Sequence, residues 1–95
     1  MKNNKQAAKL IERHFKGAAN HWRILLLLRI EKHPNSSVEE LSEILEGNIK
    51  TISEHTRRLA QAGLITKTYH GRSVQHTLSP YGQRFCAFIR TFQHS

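Results

Sequence analysis

Residues 41–65, LSEILEGNIKTISEHTRRLAQAGLI, restrict the possible folds more than any other part of the chain. Just ahead of and within this segment, Val38, Leu41, Ile44 and Leu45 recur at helical spacing. Ser36 and Ser37 precede them with side chains able to cap the free amides of a first turn. The pattern predicts a helix near residues 37–46. Gly47 offers the backbone freedom of a tight turn, and Asn48 is placed to cap a second helix whose buried stripe is Ile52, Thr56, Leu59 and Gly63. On a wheel of about 100° per residue, the opposite face centres on Glu54 and holds Lys50, Arg57, Arg58 and Gln61, with Thr51 and Ser53 beside its leading end. Two short helices, a tight turn and a polar, basic outer face make a helix-turn-helix. In that arrangement the second helix enters the major groove of duplex DNA, and longer cations behind its first turns reach phosphates.

Taken alone, the basic face reads first as an ordinary solvated surface. The residues that follow favour the DNA reading. Past Ala62 and Gly63, where glycine can supply the left-handed residue that ends a helix, residues 64–69 and 73–78 form two β-prone alternating runs joined by His70, Gly71 and Arg72. Ile65, Val74, His76 and Leu78 mark the sides of a two-stranded hairpin, and Gly71 holds a tip that presents Arg72 near His70 and Lys67. A basic hairpin beside a reading helix is a wing, able to follow the DNA backbone or place an arginine in the adjacent minor groove.

These residues carry a family resemblance. Residues 41–65 resemble the helix-turn-helix core of the ArsR-type winged-helix regulators. The shared features are Thr51, Ile52 and Ser53 followed by His55, then Leu59, the Ala62-Gly63-Leu64-Ile65 exit, and Gly71-Arg72 in the hairpin. Ala18, Ala19, Asn20, Arg23, Ile24 and Leu25 are similar to the helix pair that opens those domains, so the resemblance extends over residues 15–92. The MarR-type regulators share the same core, and Leu78-Ser79-Pro80-Tyr81-Gly82 is similar to the start of one of their helices. Many ArsR-type proteins sense metals through a cysteine pair at the first reader helix or through carboxylates and histidines on the last helix. Residues 36–41 here contain no thiol, and the last helix offers only Cys86 and His94. The seven histidines, His14, His21, His33, His55, His70, His76 and His94, include no i, i+4 pair, so neither metal site nor cofactor is expected.

Composition points to the same partner. Fifteen Lys and Arg against seven Asp and Glu give a formal charge of +8 over 95 residues, a surface suited to polyanions. The longest apolar run, residues 24–28, is far short of a membrane span, and Lys2, Asn3, Asn4 and Lys5 are not followed by the apolar block of a signal peptide, so a cytoplasmic protein is expected. Periodicity predicts a first helix over residues 6–16, with Ala7, Ala8, Leu10, Ile11 and Phe15 on one side, Lys5, Lys9, Glu12, Arg13 and Lys16 on the other, and Gly17 ending it. A helix over residues 20–32, apolar nearly all round and stopped before His33-Pro34, belongs at the centre of the domain. In the last helix Ser79 caps, Pro80 starts, and Phe85, Phe88, Ile89 and Phe92 form an apolar stripe that either completes the core or pairs with a second copy. So many aromatics on a small chain favour pairing. The lone Cys86 leaves a free thiol or an intermolecular bridge.

Catalysis has little support. No glycine-rich phosphate loop is present, Glu39, Glu40 and Glu43 read as first-turn and exposed helix charges, and Ser53 and His55 lie too close on one helix to act as nucleophile and base. No aromatic platform interleaves with the cations, which disfavours single-stranded RNA. The predicted fold is α+β, mostly α: a winged helix-turn-helix with a two-stranded β-hairpin wing and flanking N- and C-terminal helices. It forms one domain over residues 1–95, with the helix-turn-helix at 37–62, the wing at 64–78 and terminal dimerisation helices at 5–17 and 80–93. The expected activity is that of a non-enzymatic, dimeric repressor that binds double-stranded DNA. Lys50, Thr51, Ser53, Glu54, Arg57, Arg58, Lys67 and Arg72 are its DNA-binding residues, and Leu10, Phe85, Phe88, Ile89 and Phe92 its dimer interface. The competing function is a protein-docking winged helix whose basic face meets an acidic partner.

Overall fold

The computed structural model describes residues 4–94, in the order α1 (Lys5–Ala18), α2 (His21–Lys32), α3 (Val38–Leu45), α4 (Ile49–Gln61), β1 (Ile65–His70), β2 (Ser73–Leu78) and α5 (Pro80–Gln93). The mostly helical winged helix-turn-helix is therefore the observed architecture. Lys2 and Asn3, used in the signal-peptide reading, lie outside the described residues. No helix among the described residues is long and apolar enough to cross a membrane.

Caps set the helix starts. Asn20 accepts from the amides of Trp22 and Arg23, Asn48 from those of Lys50 and Thr51, and Ser79 from that of Gly82. Ser37 and Glu40 exchange bonds in a full capping box. With its ends fixed in this way, α2 runs through the middle of the domain and packs against the other helices and β2. Leu26, Leu27 and Ile30 are fully enclosed with Leu41, Ile52, Leu59, Leu64 and Cys86. The centre is not closed all round, because Leu25 is 42% exposed. Thr56 sits in this core at no polar cost: it is buried, and its hydroxyl donates to the Ser53 carbonyl at 2.8 Å.

Several expectations are corrected by packing between distant elements. Gly17 does not end α1; the helix continues to Ala18, and a Cβ at Gly17 would overlap the Ala62 side chain, so the glycine lets α1 cross the end of α4. The left-handed residue of the reader turn is Glu46 (φ 54°), not Gly47. Gly47 matters for space, since a Cβ there would come within 2.8 Å of Ile52 and 3.2 Å of Trp22. Gly63 lies off the fully buried stripe and takes φ 78° to leave α4. Ile44, expected inside, is 50% exposed.

The two strands pair antiparallel, with Ile65 opposite Leu78, Lys67 opposite His76 and His70 opposite Ser73. The turn is therefore the two residues Gly71 and Arg72, with Gly71 at φ 60°. The loop after α2 joins this ribbon. The Asn35 amide donates to the His76 carbonyl at 2.9 Å, the His76 amide to Ser36 at 3.1 Å, and the His76 ring Nδ1–H to the same Ser36 oxygen at 2.8 Å. His76 is almost fully enclosed, and that burial holds its pKa below the ordinary 6.5. A histidine held neutral by folding binds fewer protons than it does in the unfolded chain, so stability present above pH 6.5 should be lost as pH falls towards the folded-state value. Unfolding midpoints in urea should fall between pH 7.5 and 5, while the His76 ring protons titrate below 6.5; a midpoint that rises over this range would contradict the assignment.

Candidate nucleic-acid interface

The capped start of α4, the start of α3 and the wing strand β1 enclose an open groove of about 440 Å³. Val38, Ile49, Lys50, Ser53, Glu54, Arg57 and Lys67 line it. Five of the eight residues expected at DNA are thus brought together. Thr51 is exposed on the first turn of α4, and Arg72 is exposed at the hairpin tip. Arg58 turns to the opposite flank of α4, into a separate cleft with Arg13, Lys16 and Arg23 of α1 and α2. Sequence reasoning missed these three cations, because only the crossing of α1 and α2 over α4 makes them neighbours of the reading helix. It also missed Ile49, which is 47% exposed and with Val38 gives the groove an apolar wall. Such a wall is suited to the methyl group of thymine.

Charge on α4 is organised around one carboxylate. Glu54 accepts from Arg57 Nε at 3.0 Å and Arg58 Nε at 3.0 Å, one turn on. The two guanidinium bonds, that of Arg57 first, hold its pKa at about 2, so the carboxylate stays ionised. In turn it restrains both arginines. Beside it, burial and the nearby Arg23 push the His55 pKa down, so the ring is neutral at pH 7. The buried hydroxyl of Ser42 and His55 Nδ1 have no hydrogen-bond partner among the described residues.

Sharing no residue with the reading groove, Phe15, Ala18, Ala19, Ile24, Phe85, Phe88, Ile89, Phe92 and Gln93 line an apolar groove of about 360 Å³ between α1, α2 and α5. Phe85, Phe88, Ile89 and Phe92 meet there; Leu10 does not line it, though it is 42% exposed on the same helix as Phe15. Cys86 faces inward beside this groove, its thiol directed at the Leu27 carbonyl 3.6 Å away. Burial pushes that thiol up to about 11, which suppresses the thiolate needed for disulfide chemistry or metal binding. Of the two readings of the cysteine, the structure has the free, buried thiol. Among the described residues no three His, Cys, Asp or Glu side chains converge on a metal position.

The HVO_A0114 family profile matches residues 18–83, from the end of α1 to the start of α5. The chain belongs to the HVO_A0114 family. No curated protein matches it by sequence. Solved structures share its fold at low identity. Reduced HlyU from Vibrio cholerae superposes with a TM-score of 0.85 at 22% identity, covering 97% of each chain. The homodimeric winged helix-turn-helix DNA-binding domain of Mb0332 from Mycobacterium bovis, described as a possible ArsR-family regulator, gives 0.86 at 18% identity, over 99% of this chain and 87% of the other. MarR gives 0.76 at 20% identity, over 95% of this chain and 69% of its own. The family member thus has the winged-helix fold found in both ArsR-type and MarR-type regulators, as the sequence resemblance implied.

Proposed function

We propose that the chain is a homodimeric transcriptional regulator that binds double-stranded DNA, with α4 in the major groove and the wing along the flanking backbone. It represses by occupying a promoter. The observation that carries this reading is the groove between α4 and β1, where the Ser53 hydroxyl, one carboxylate and three cations share a single open face. In this reading Lys50, Thr51, Ser53 and Glu54 meet base edges, and Arg57, Arg58, Lys67 and Arg72 meet phosphates. The dimer draws support from the apolar α1–α5 groove and from the homodimeric domain of Mb0332. Proteins of this layout commonly place two reading helices on half-sites one DNA turn apart.

The test is a titration of the purified chain into labelled duplex from upstream of its own gene and into a scrambled duplex, at two salt concentrations. Preference for the upstream duplex that survives the higher salt supports a sequence-specific regulator. Equal, salt-sensitive binding reduces the proposal to a nonspecific DNA binder, and absence of binding favours the protein-docking alternative.

Glu54 gives this reading a signed consequence. Glu54→Gln releases Arg57 and Arg58 from their shared carboxylate and removes one negative charge from the face. Affinity for the scrambled duplex should rise about fivefold to tenfold near 0.1 M salt, the value of roughly one added phosphate contact. Preference for the upstream duplex should shrink at the same time. A uniform loss on both duplexes would show that Glu54 does not face DNA.

A further inference from the structure

The cleft on the other flank of α4 differs in kind from the reading groove. It measures about 230 Å³, and its wall is Arg13, Lys16, Gly17, Arg23, Arg58, Gln61 and Ala62: four cations from three helices and no carboxylate. The carboxylates that pair with its members, Glu12 with Lys16 and Glu54 with Arg58, are not part of the wall. Two of the cations are held by backbone oxygens rather than by acids. Arg13 Nη2 donates to the Gln61 carbonyl at 2.7 Å, which ties α1 to the end of α4, and Arg23 Nη1 donates to the Gly17 carbonyl at 3.0 Å. Arg23 Nε is buried and has no hydrogen-bond partner among the described residues. His55, on the same helix as Arg58, feels the charges of Arg23, His21 and Arg58, with Glu54 opposing them, so it lies in reach of the same cations.

Gathering like charges in one concavity is unfavourable unless an anion joins them. A carboxylate accepts mainly within its own plane, whereas the two free oxygens of a phosphodiester, and the larger set on free phosphate, accept over a wider range of directions, as guanidinium forks from different helices require. We propose that this cleft is a phosphate-binding site, held by Arg13, Lys16, Arg23 and Arg58. In the DNA complex its occupant is a backbone phosphodiester on the side of α4 away from Lys67. That second statement rests on the DNA-binding reading above and extends the contacts on this flank of the reading helix from Arg58 alone to Arg13, Lys16 and Arg23.

The experiment has two arms on the full chain. In the first, inorganic phosphate is added at constant ionic strength, with chloride as the balancing anion, and the arginine Nε–Hε signals are followed by NMR. Arg23 and Arg58 should move saturably, and Arg13→Gln or Lys16→Gln should each weaken the response severalfold. Both positions are exposed, and retained amide spectra verify the fold of each variant. A response equal to that of chloride alone, or one unaltered in both variants, would overturn the site. In the second arm, duplex affinity is measured against salt. A slope reduced by about one unit in each variant identifies the DNA backbone as the source of the phosphate. An unchanged slope with an intact phosphate response overturns that source and leaves the site to a free phosphate-bearing ligand. Because the first arm contains no DNA, failure of the site and failure of the DNA reading are separable.

Discussion

Phe88→Glu is expected to leave the fold intact and the chain monomeric. Phe88 is 47% exposed on α5, and its ring lies 5.8 Å from that of Phe15, 5.9 Å from that of Phe85 and 6.0 Å from that of Phe92. Phe92 is 72% exposed, and Leu10, Ile11 and Phe15 of α1 add further apolar surface. A contiguous apolar face of this sort on a small, highly charged chain marks an interface more often than a free surface. The core below it is complete without Phe88, since Leu26, Leu27, Ile30 and Cys86 are already enclosed. A carboxylate at residue 88 therefore costs little in the monomer. In a two-fold dimer the same charge appears twice against the partner's apolar surface. At roughly 2 kcal/mol for each lost aromatic anchor, the dimer dissociation constant should rise about 10³-fold. Sedimentation velocity at micromolar concentration reads the change, and circular dichroism checks that the helices persist. A wild-type chain that sediments as a monomer under those conditions would remove the dimer from the proposed function. If the dimer holds, Phe88→Glu should also lose most of its affinity for a two-half-site duplex while keeping its affinity for a single half-site.

What could be read in advance was whatever is encoded within a few neighbouring residues. Ser37, Asn48 and Ser79 were legible as caps because capping joins a side chain to amides two or three positions on. Ile65, Val74, His76 and Leu78 were legible as the sides of a hairpin because two β-prone runs flank a short turn centred on Gly71. The acid–arginine cluster on α4 follows from i, i+3 and i, i+4 spacing, although the sequence gives no sign that Glu54 binds both arginines at once. What was not legible depends on residues far apart in the chain. Gly17 resembles a helix end until Ala62 is seen against it, and Gly47 resembles a turn glycine until Trp22 and Ile52 crowd it. Arg13 reads as a charge on the polar side of α1 and Arg23 belongs to a helix apolar nearly all round, yet the crossing of α1 and α2 over α4 turns both into the wall of a cleft. Ile44 satisfies helical periodicity but sits at the edge of a short helix, where periodicity alone does not decide burial.

Gly82→Ala gives the largest expected loss of stability from a single methyl group. Even at the third position of a helix, alanine ordinarily improves on glycine, by up to about 1 kcal/mol, so local propensity predicts a gain. The tertiary setting reverses the sign. Gly82 is buried where α5 meets the exit of α4, and a Cβ there would overlap the Leu64 carbonyl oxygen and lie 3.3 Å from the Leu78 side chain. The obstacle is backbone and cannot rotate away. That same carbonyl accepts from the Ser79 amide at 3.1 Å, while the Ser79 hydroxyl donates to Gly63 at 2.6 Å and accepts from the Gly82 amide at 3.0 Å. Room for the methyl group comes only from displacing α5, which loosens this set of bonds together with the packing of Cys86 and Phe85. Overpacking of this kind costs about 1–3 kcal/mol or somewhat more, and net of the helix gain a loss of about 2 kcal/mol is expected. For a domain of this size that corresponds to a fall in Tm of roughly 10–15 °C at fixed protein concentration. Gln83→Ala, one residue on and exposed, should change Tm by no more than a few degrees and controls for helix propensity. An unchanged or raised Tm in Gly82→Ala would mean that α5 does not approach Leu64 as described. The groove that α5 forms with α1, and with it the surface assigned to the second copy, would then have to be redrawn.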